Sequence, residues 1–178
     1  MKFYTTPVYL LLLVLFLSGC SLGKEKQEYL TIGALLPLTG PDSEEGVRSL
    51  NGLQLAKQEI NKNGGILGKK LDIIVLNDEG SDYFALQQYN ELKNKDVKAI
   101  IGSCSENVTM VLAKACAADN IPIFSPSDAH LLFNNENGNI TDFEKNFFNA
   151  FSQMPLSGSA AAYKCVYIMA DTFNIAEK

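Results

Sequence analysis

Residues 32–40 read IGALLPLTG, residues 51–70 read NGLQLAKQEINKNGGILGKK, and residues 71–76 read LDIIVL. The first and last segments are short, nearly continuous apolar runs, the pattern of parallel strands buried on both faces. Between them Leu50, Leu53, Ala56 and Ile60 recur at the spacing of one helix face. Gly64-Gly65 follows, where a left-handed helix cap needs a residue without Cβ. Strand, helix and strand of this size form a right-handed βαβ crossover. That unit predicts an α/β fold with a doubly wound, mostly parallel sheet.

The alternation continues beyond Leu76. Tyr83 to Asn94 reads as an amphipathic helix with Phe84, Leu86, Tyr89 and Leu92 as its apolar positions. Val97 to Ile101 reads as a third strand, Glu106 to Asp119 as a third helix, and Ile121 to Phe124 as a fourth strand bounded by Pro126. Ser127 to Lys145 has no period and is rich in Asn, Asp and Glu, so a long surface loop is expected there. Phe147 to Phe151 reads as a short strand or linker. Leu156 to Phe173 reads as a last helix, apolar on most sides; such a helix must be buried, yet no strand follows to cover it, so Tyr163, Tyr167 and Met169 are expected on exposed apolar surface.

The N-terminus carries export signals. Lys2 supplies a positive n-region, and Val8 to Leu17 is an apolar run of ten residues. A bilayer-spanning helix needs about 20, so the run reads as the h-region of a secretory signal spanning residues 1–19. Leu17-Ser18-Gly19-Cys20 follows directly, and small residues before a cysteine resemble the lipobox of bacterial lipoproteins. By that resemblance Cys20 is the acylated residue, residues 20–28 are a flexible tether, and the protein is held to the membrane from outside by its lipid.

Composition narrows the function. The chain holds 15 basic and 20 acidic side chains, and removing residues 1–19 takes away one lysine. A net negative chain of this kind is a poor nucleic-acid binder. Histidine occurs once, at His130, which excludes a His-rich metal site and would oblige any Ser/His/Asp triad to use that residue. No GxSxG elbow accompanies Ser127-Asp128-Ala129-His130. No catalytic residue, metal or cofactor is assigned. Cys104, Cys116 and Cys165 remain after Cys20. A helix from Cys104 to Cys116 would separate them by about 18 Å, far beyond the roughly 7 Å a disulfide allows. Cys116, between two alanines, and Cys165, before Val166, read as buried inert thiols.

Three linked motifs carry a family resemblance: PLTGP at Pro37 to Pro41, the NGxxLAxxEIN core at Asn51 to Asn61, and GGILGKKL at Gly64 to Leu71. Together they resemble the extracytoplasmic solute-binding proteins of the leucine/isoleucine/valine-binding type, which are type I periplasmic binding proteins. The resemblance implies two α/β lobes with a ligand cleft between them and an ABC permease as partner. Residues 29–150 would be the first lobe, and residues 151–178 the crossover and first helix of a second lobe that is largely missing. Residues 20–178 then amount to about half of the usual architecture: a fragment, a truncated gene product or a split-gene piece.

In a doubly wound sheet, ligands are expected outside the carboxyl ends of the strands. Gly102-Ser103-Cys104-Ser105-Glu106-Asn107 leads straight into a helix, so its free N–H groups and dipole suit a carboxylate. Ser105 could add a hydroxyl donor or serve only as the N-cap. Ser125-Pro126-Ser127-Asp128-Ala129 resembles the family's SPxA-type segment, which implies head-group contacts at Ser127 and Ala129. The expected ligand-binding set is Ser105, Glu106, Ser127 and Ala129. Three positions depart from the family pattern: Glu106 stands where a small hydroxyl residue is common, Glu45 where an aromatic side chain precedes Gly46, and Asn149 where arginine is frequent. The expected function is a substrate-binding lipoprotein of an ABC importer for an amino acid or small amide. A ligand-sensing receptor domain of the same fold is the alternative.

Overall fold

The computed structural model describes residues 27–126, 140–155 and 157–176. Four strands, β1 (Tyr29–Leu36), β2 (Lys70–Asn77), β3 (Ile100–Ile101) and β4 (Ile123–Phe124), form one sheet in the order β2-β1-β3-β4. Every pairing is parallel, with Ile32 against Ile73, Gly33 against Ile100 and Ile100 against Ile123. All four carboxyl ends therefore lie on one edge of the sheet.

Alternation along β1 divides the core in two. Leu30, Ile32, Ala34 and Leu36 face one layer, with Leu71 and Ile101 beside them. Leu35 faces the other with Ile100. Helix α1 (Ser43–Lys62) covers the first face, burying Leu53, Leu55, Ala56 and Ile60. Helices α2 (Asp82–Lys93) and α3 (Glu106–Asp119) cover the second through Ala85, Tyr89, Leu92, Val108, Leu112 and Cys116. The fold is the doubly wound α/β arrangement expected, in the extent of a single lobe.

Gly65 closes the α1–β2 connection in the left-handed region at φ 87°, and any Cβ there would overlap the Lys69 carbonyl. The same turn is latched by Asn61, whose side chain accepts from Leu71 N–H at 2.7 Å and donates to Leu71 C=O at 2.8 Å. The motif residues from Asn61 to Leu71 are thus a packed crossover corner.

The structure corrects several sequence expectations. Ladder pairing of the third strand is confined to Ile100–Ile101, although Lys98 N–H still donates to Thr31 at 2.8 Å and Gly33 N–H to Ala99 at 2.9 Å. The stripe on α2 runs through Ala85, Tyr89 and Leu92, an i, i+4, i+7 row, whereas Phe84 is exposed and packs edge-on against Tyr83. Phe147 to Phe151 is neither strand nor linker: it belongs to helix α4 (Ile140–Phe151). Phe143, Phe147 and Phe151, spaced four apart, stack along one side of it with centroids 5.6 and 4.8 Å apart. A single apolar face with polar residues opposite is the helical solution for this segment. Residues 140–145 of the expected long loop are thus helical, and the rest of that stretch lies outside the described residues.

The last helix, α5 (Ser157–Ala176), is not the exposed apolar surface expected: Met169 is fully buried and Tyr163 and Tyr167 are partly buried. It lies against α1, and Ala161, Ala162, Cys165, Val166, Met169 and Ala170 join the core of the first face. Small residues permit the approach: a Cβ at Gly52 of α1 would overlap the backbone of Ser159, and one at Gly158 would overlap the Glu45 carboxylate. Glu59 of α1 then accepts hydrogen bonds from Tyr163 and Tyr167, the latter at 3.0 Å, and from Asn146 of α4 at 2.8 Å. This helix, which the resemblance assigns to a second lobe, packs here on α1. No helix among the described residues is long and apolar enough to cross a membrane. Cys20 and residues 1–19, the expected signal segment, lie outside the described residues.

Candidate functional site

Four connections meet at the carboxyl edge of the sheet. The β1–α1 loop is tied to the end of β2 by Asn77, whose Oδ1 accepts from Leu38 N–H at 2.8 Å and whose Nδ2 donates to Thr39 Oγ1 at 2.7 Å. The β2–α2 turn is held by Asp78, which is fully buried and accepts from Gly80 N–H at 2.9 Å. The β3–α3 connection, Gly102 to Ser105, leaves the strand next to β1, and Ser125-Pro126 leaves β4 on its other side.

Ser105 is the N-cap residue of α3, in extended conformation at φ −88° and ψ 128°, and its side chain makes no capping hydrogen bond. The first N–H groups of a helix have no partner within it. The turn therefore presents those N–H groups together with an uncommitted hydroxyl, a cradle suited to a carboxylate. Ser105 N–H itself is engaged, donating to Ser103 Oγ at 3.3 Å. Glu106 is exposed in the first helical turn, where its charge complements the dipole. Ser127 and Ala129 lie outside the described residues, as does His130.

The surroundings are acidic. A cavity of about 300 Å³ beside the start of α1 is lined by Pro41, Asp42, Glu44, Glu45 and Arg48, and the Arg48 guanidinium is paired with Glu44. Cys104, between Ser103 and Ser105, meets the Ser49 hydroxyl at 3.3 Å. Burial pushes its thiol up to about 11; the Ser49 hydrogen bond opposes that, and the charges of Glu45, Asp78 and Asp42 reinforce it. Such a thiol stays protonated near neutral pH and is a poor nucleophile. Burial also raises the Asp78 pKa, against the lowering effects of Gly80 N–H and the Ser103 hydroxyl, while Asp42 raises it further. No group of three or more His, Cys, Asp and Glu side chains among the described residues is arranged to hold a metal ion.

The sequence profile described as periplasmic binding protein matches residues 30–163. The chain belongs to the periplasmic binding protein family. The match runs through the Gly102–Asn107 turn and all four strands, and the family is one of binding proteins, not of enzymes. Among curated relatives, the Leu/Ile/Val-binding protein BraC3 of Rhizobium johnstonii is 31% identical over 98 residues, 55% of this chain and 27% of the relative. The Leu/Ile/Val-binding protein homolog 3 of Brucella melitensis is 26% identical over the same length. Among solved structures, the substrate-binding protein LivJ of the branched-chain amino acid transporter of Streptococcus pneumoniae, in complex with isoleucine, superposes with a TM-score of 0.53 at 25% identity. That match covers 56% of this chain and 29% of the other. A type 1 periplasmic binding protein from Bordetella pertussis gives a TM-score of 0.52 at 32% identity, over 56% of this chain and 27% of its own. The matched region is thus under a third of each of these relatives.

Sequence reading located the Ser105 turn but missed Asp78 and Ser49. Asp78 sits in Asn77-Asp78-Glu79-Gly80, a string with the composition of an exposed turn. Ser49 is one of two serines in an amphipathic helix. Asp78 is buried by the neighbouring loops, and Ser49 packs against Cys104 and Gly158 of α5, which no local pattern reports.

Proposed function

We propose that this chain is the first-lobe portion of an extracytoplasmic substrate-binding lipoprotein of an ABC importer, taking an amino acid or a related small amide. The observation that carries the reading is the Ser105 turn: a free hydroxyl above the unpaired N–H groups of α3, at the carboxyl edge of a parallel sheet. Family membership and the Leu/Ile/Val-binding relatives support it. In this reading the ligand carboxylate rests on Ser105 and the N–H groups of the Glu106 turn, with Ser127 and Ala129 completing the contacts from the β4 side. Asp42, Glu45 and Glu106 surround the turn with negative charge, which disfavours ligands bearing a second carboxylate and favours those whose amine can face these side chains. Closure of a second lobe would supply the opposing contacts and exclude water.

Cys20 is the proposed lipid attachment point, and a membrane permease the proposed partner. Calorimetry with a panel of amino acids and amides tests the ligand class. Saturable binding of neutral amino acids, weakened in Ser105→Ala, supports the reading; binding indifferent to Ser105 contradicts it. Cys20→Ala should leave the precursor unprocessed or release the protein from the membrane fraction. Normal cleavage with unchanged membrane retention rules the anchor out.

A further inference from the structure

Beneath the Ser105 turn lies a buried polar pair that binding alone does not explain. Asp78 and Ser103 are both fully buried. The backbone of Asp78 is fixed at both ends, its N–H donating to Leu36 C=O at 3.0 Å and its C=O accepting from Ser81 N–H at 2.9 Å. Its Oδ1 takes Gly80 N–H, while Oδ2 finds no partner of full hydrogen-bond geometry among the described residues. The Ser103 hydroxyl stands beside this carboxyl and draws its pKa partly back down. On its other side Ser103 is pinned to α3: its carbonyl accepts from Thr109 Oγ1 at 3.0 Å and its Oγ accepts from Ser105 N–H at 3.3 Å.

We propose that Asp78 is a positioning residue for the Ser105 turn, acting through Ser103. A serine hydroxyl has one proton and two lone pairs. With the proton directed to Asp78, a lone pair faces Ser105 N–H, so the orientation of Ser103 decides which N–H of the turn is engaged and which remain open to a ligand. The inference rests on the binding role proposed for the turn, but the coupling is a property of the ligand-free chain.

Other titratable groups face the same cluster: Asp42 from the β1–α1 loop acts on Asp78 directly, and Glu45 from α1 and the Cys104 thiol share its surroundings. Their presence defines the controls. In ¹⁵N-labelled protein without ligand, the Ser105 amide resonance should follow a titration whose midpoint lies above the ordinary carboxylate range. Asp78→Asn and Ser103→Ala should each abolish that response, whereas Asp42→Asn and Glu45→Gln should keep it. The Ser105 amide should also exchange with solvent roughly fivefold faster in Ser103→Ala, relative to core amides such as Leu35. A Ser105 titration that survives Asp78→Asn, or one that survives Ser103→Ala, overturns the proposal. Because no ligand is present, a failure here is separate from any failure of amino-acid binding.

Discussion

Gly52 and Ser159 meet backbone to backbone, so that a methyl group at Gly52 would overlap the Ser159 carbonyl oxygen. This contact lets α5 lie close enough to α1 for Ala161, Ala162, Val166 and Met169 to reach the core. The neighbouring atoms are main chain and cannot swing aside. Gly52→Ala should therefore destabilise the fold by about 1–3 kcal/mol, the range for overpacking, despite the better helix propensity of alanine. Urea denaturation checks this. A variant as stable as the parent would mean that α5 does not sit where described.

Glu59 ties three elements together, accepting from Tyr163, Tyr167 and Asn146. Glu59→Ala leaves two half-buried tyrosine hydroxyls without their acceptor. A loss of about 1–3 kcal/mol is expected, together with faster amide exchange in α4 and α5 than in β1 and β2. Uniform acceleration across the sheet would argue against a local latch.

The thiols should be sluggish. Burial is the main cause holding Cys104 and Cys116 up to about 11 each, and Cys165 is buried in the first-face core. Labelling of the native protein by a thiol-specific reagent at pH 8 should be slow at all three, becoming rapid in denaturant. Fast native labelling of Cys104 would contradict the packing around Ser49.

Two aspartates should give stability opposite pH slopes. Lys93 and the Tyr89 hydroxyl hold Asp119 below its ordinary pKa, so its contribution is present above the unfolded value and is lost as pH falls through the lowered one. Burial holds Asp78 above its ordinary pKa, so its contribution is complete below the unfolded value and is lost as pH rises through the raised one. Asp119→Asn should cost more at neutral pH than in acid. Asp78→Asn should compare more favourably with the parent at neutral pH than in acid. Thermal melts across pH 3–8, at roughly half-unit steps, would show both trends, and parallel curves for parent and variant would count against either assignment.

Much of this was legible in the chain. The βαβ unit from Ile32 to Leu76 announced itself because buried parallel strands are continuous apolar runs, and because Gly64-Gly65 is forced by the left-handed turn at the end of α1. The α3 boundaries, Glu106 and Asp119, were equally plain. The segment near Phe147 was misjudged because a short aromatic run suits a strand as well as a helix until its four-residue spacing is weighed. The need to bury α5 was legible but its cover was not: that is α1, about a hundred positions earlier, through a glycine contact that leaves no periodic trace. The Ser105 turn could be read from a strand-loop-helix junction, whereas Asp78 became visible only when three loops closed over it.

The central claim, that a small carboxylate-bearing solute rests on the Ser105 turn, is tested most directly by titrating L-isoleucine into ¹⁵N-labelled protein and following the amides of Gly102 to Val108. The lobe formed by the described residues cannot by itself enclose a ligand, so weak affinity, on the order of millimolar or about −4 kcal/mol, is expected for it. The account predicts saturable shifts concentrated at Ser105, Glu106 and Asn107 and abolished by Ser105→Ala. Shifts clustered at the opposite edge of the sheet, around Tyr29 and Lys70, or no saturable shifts at all, would contradict it.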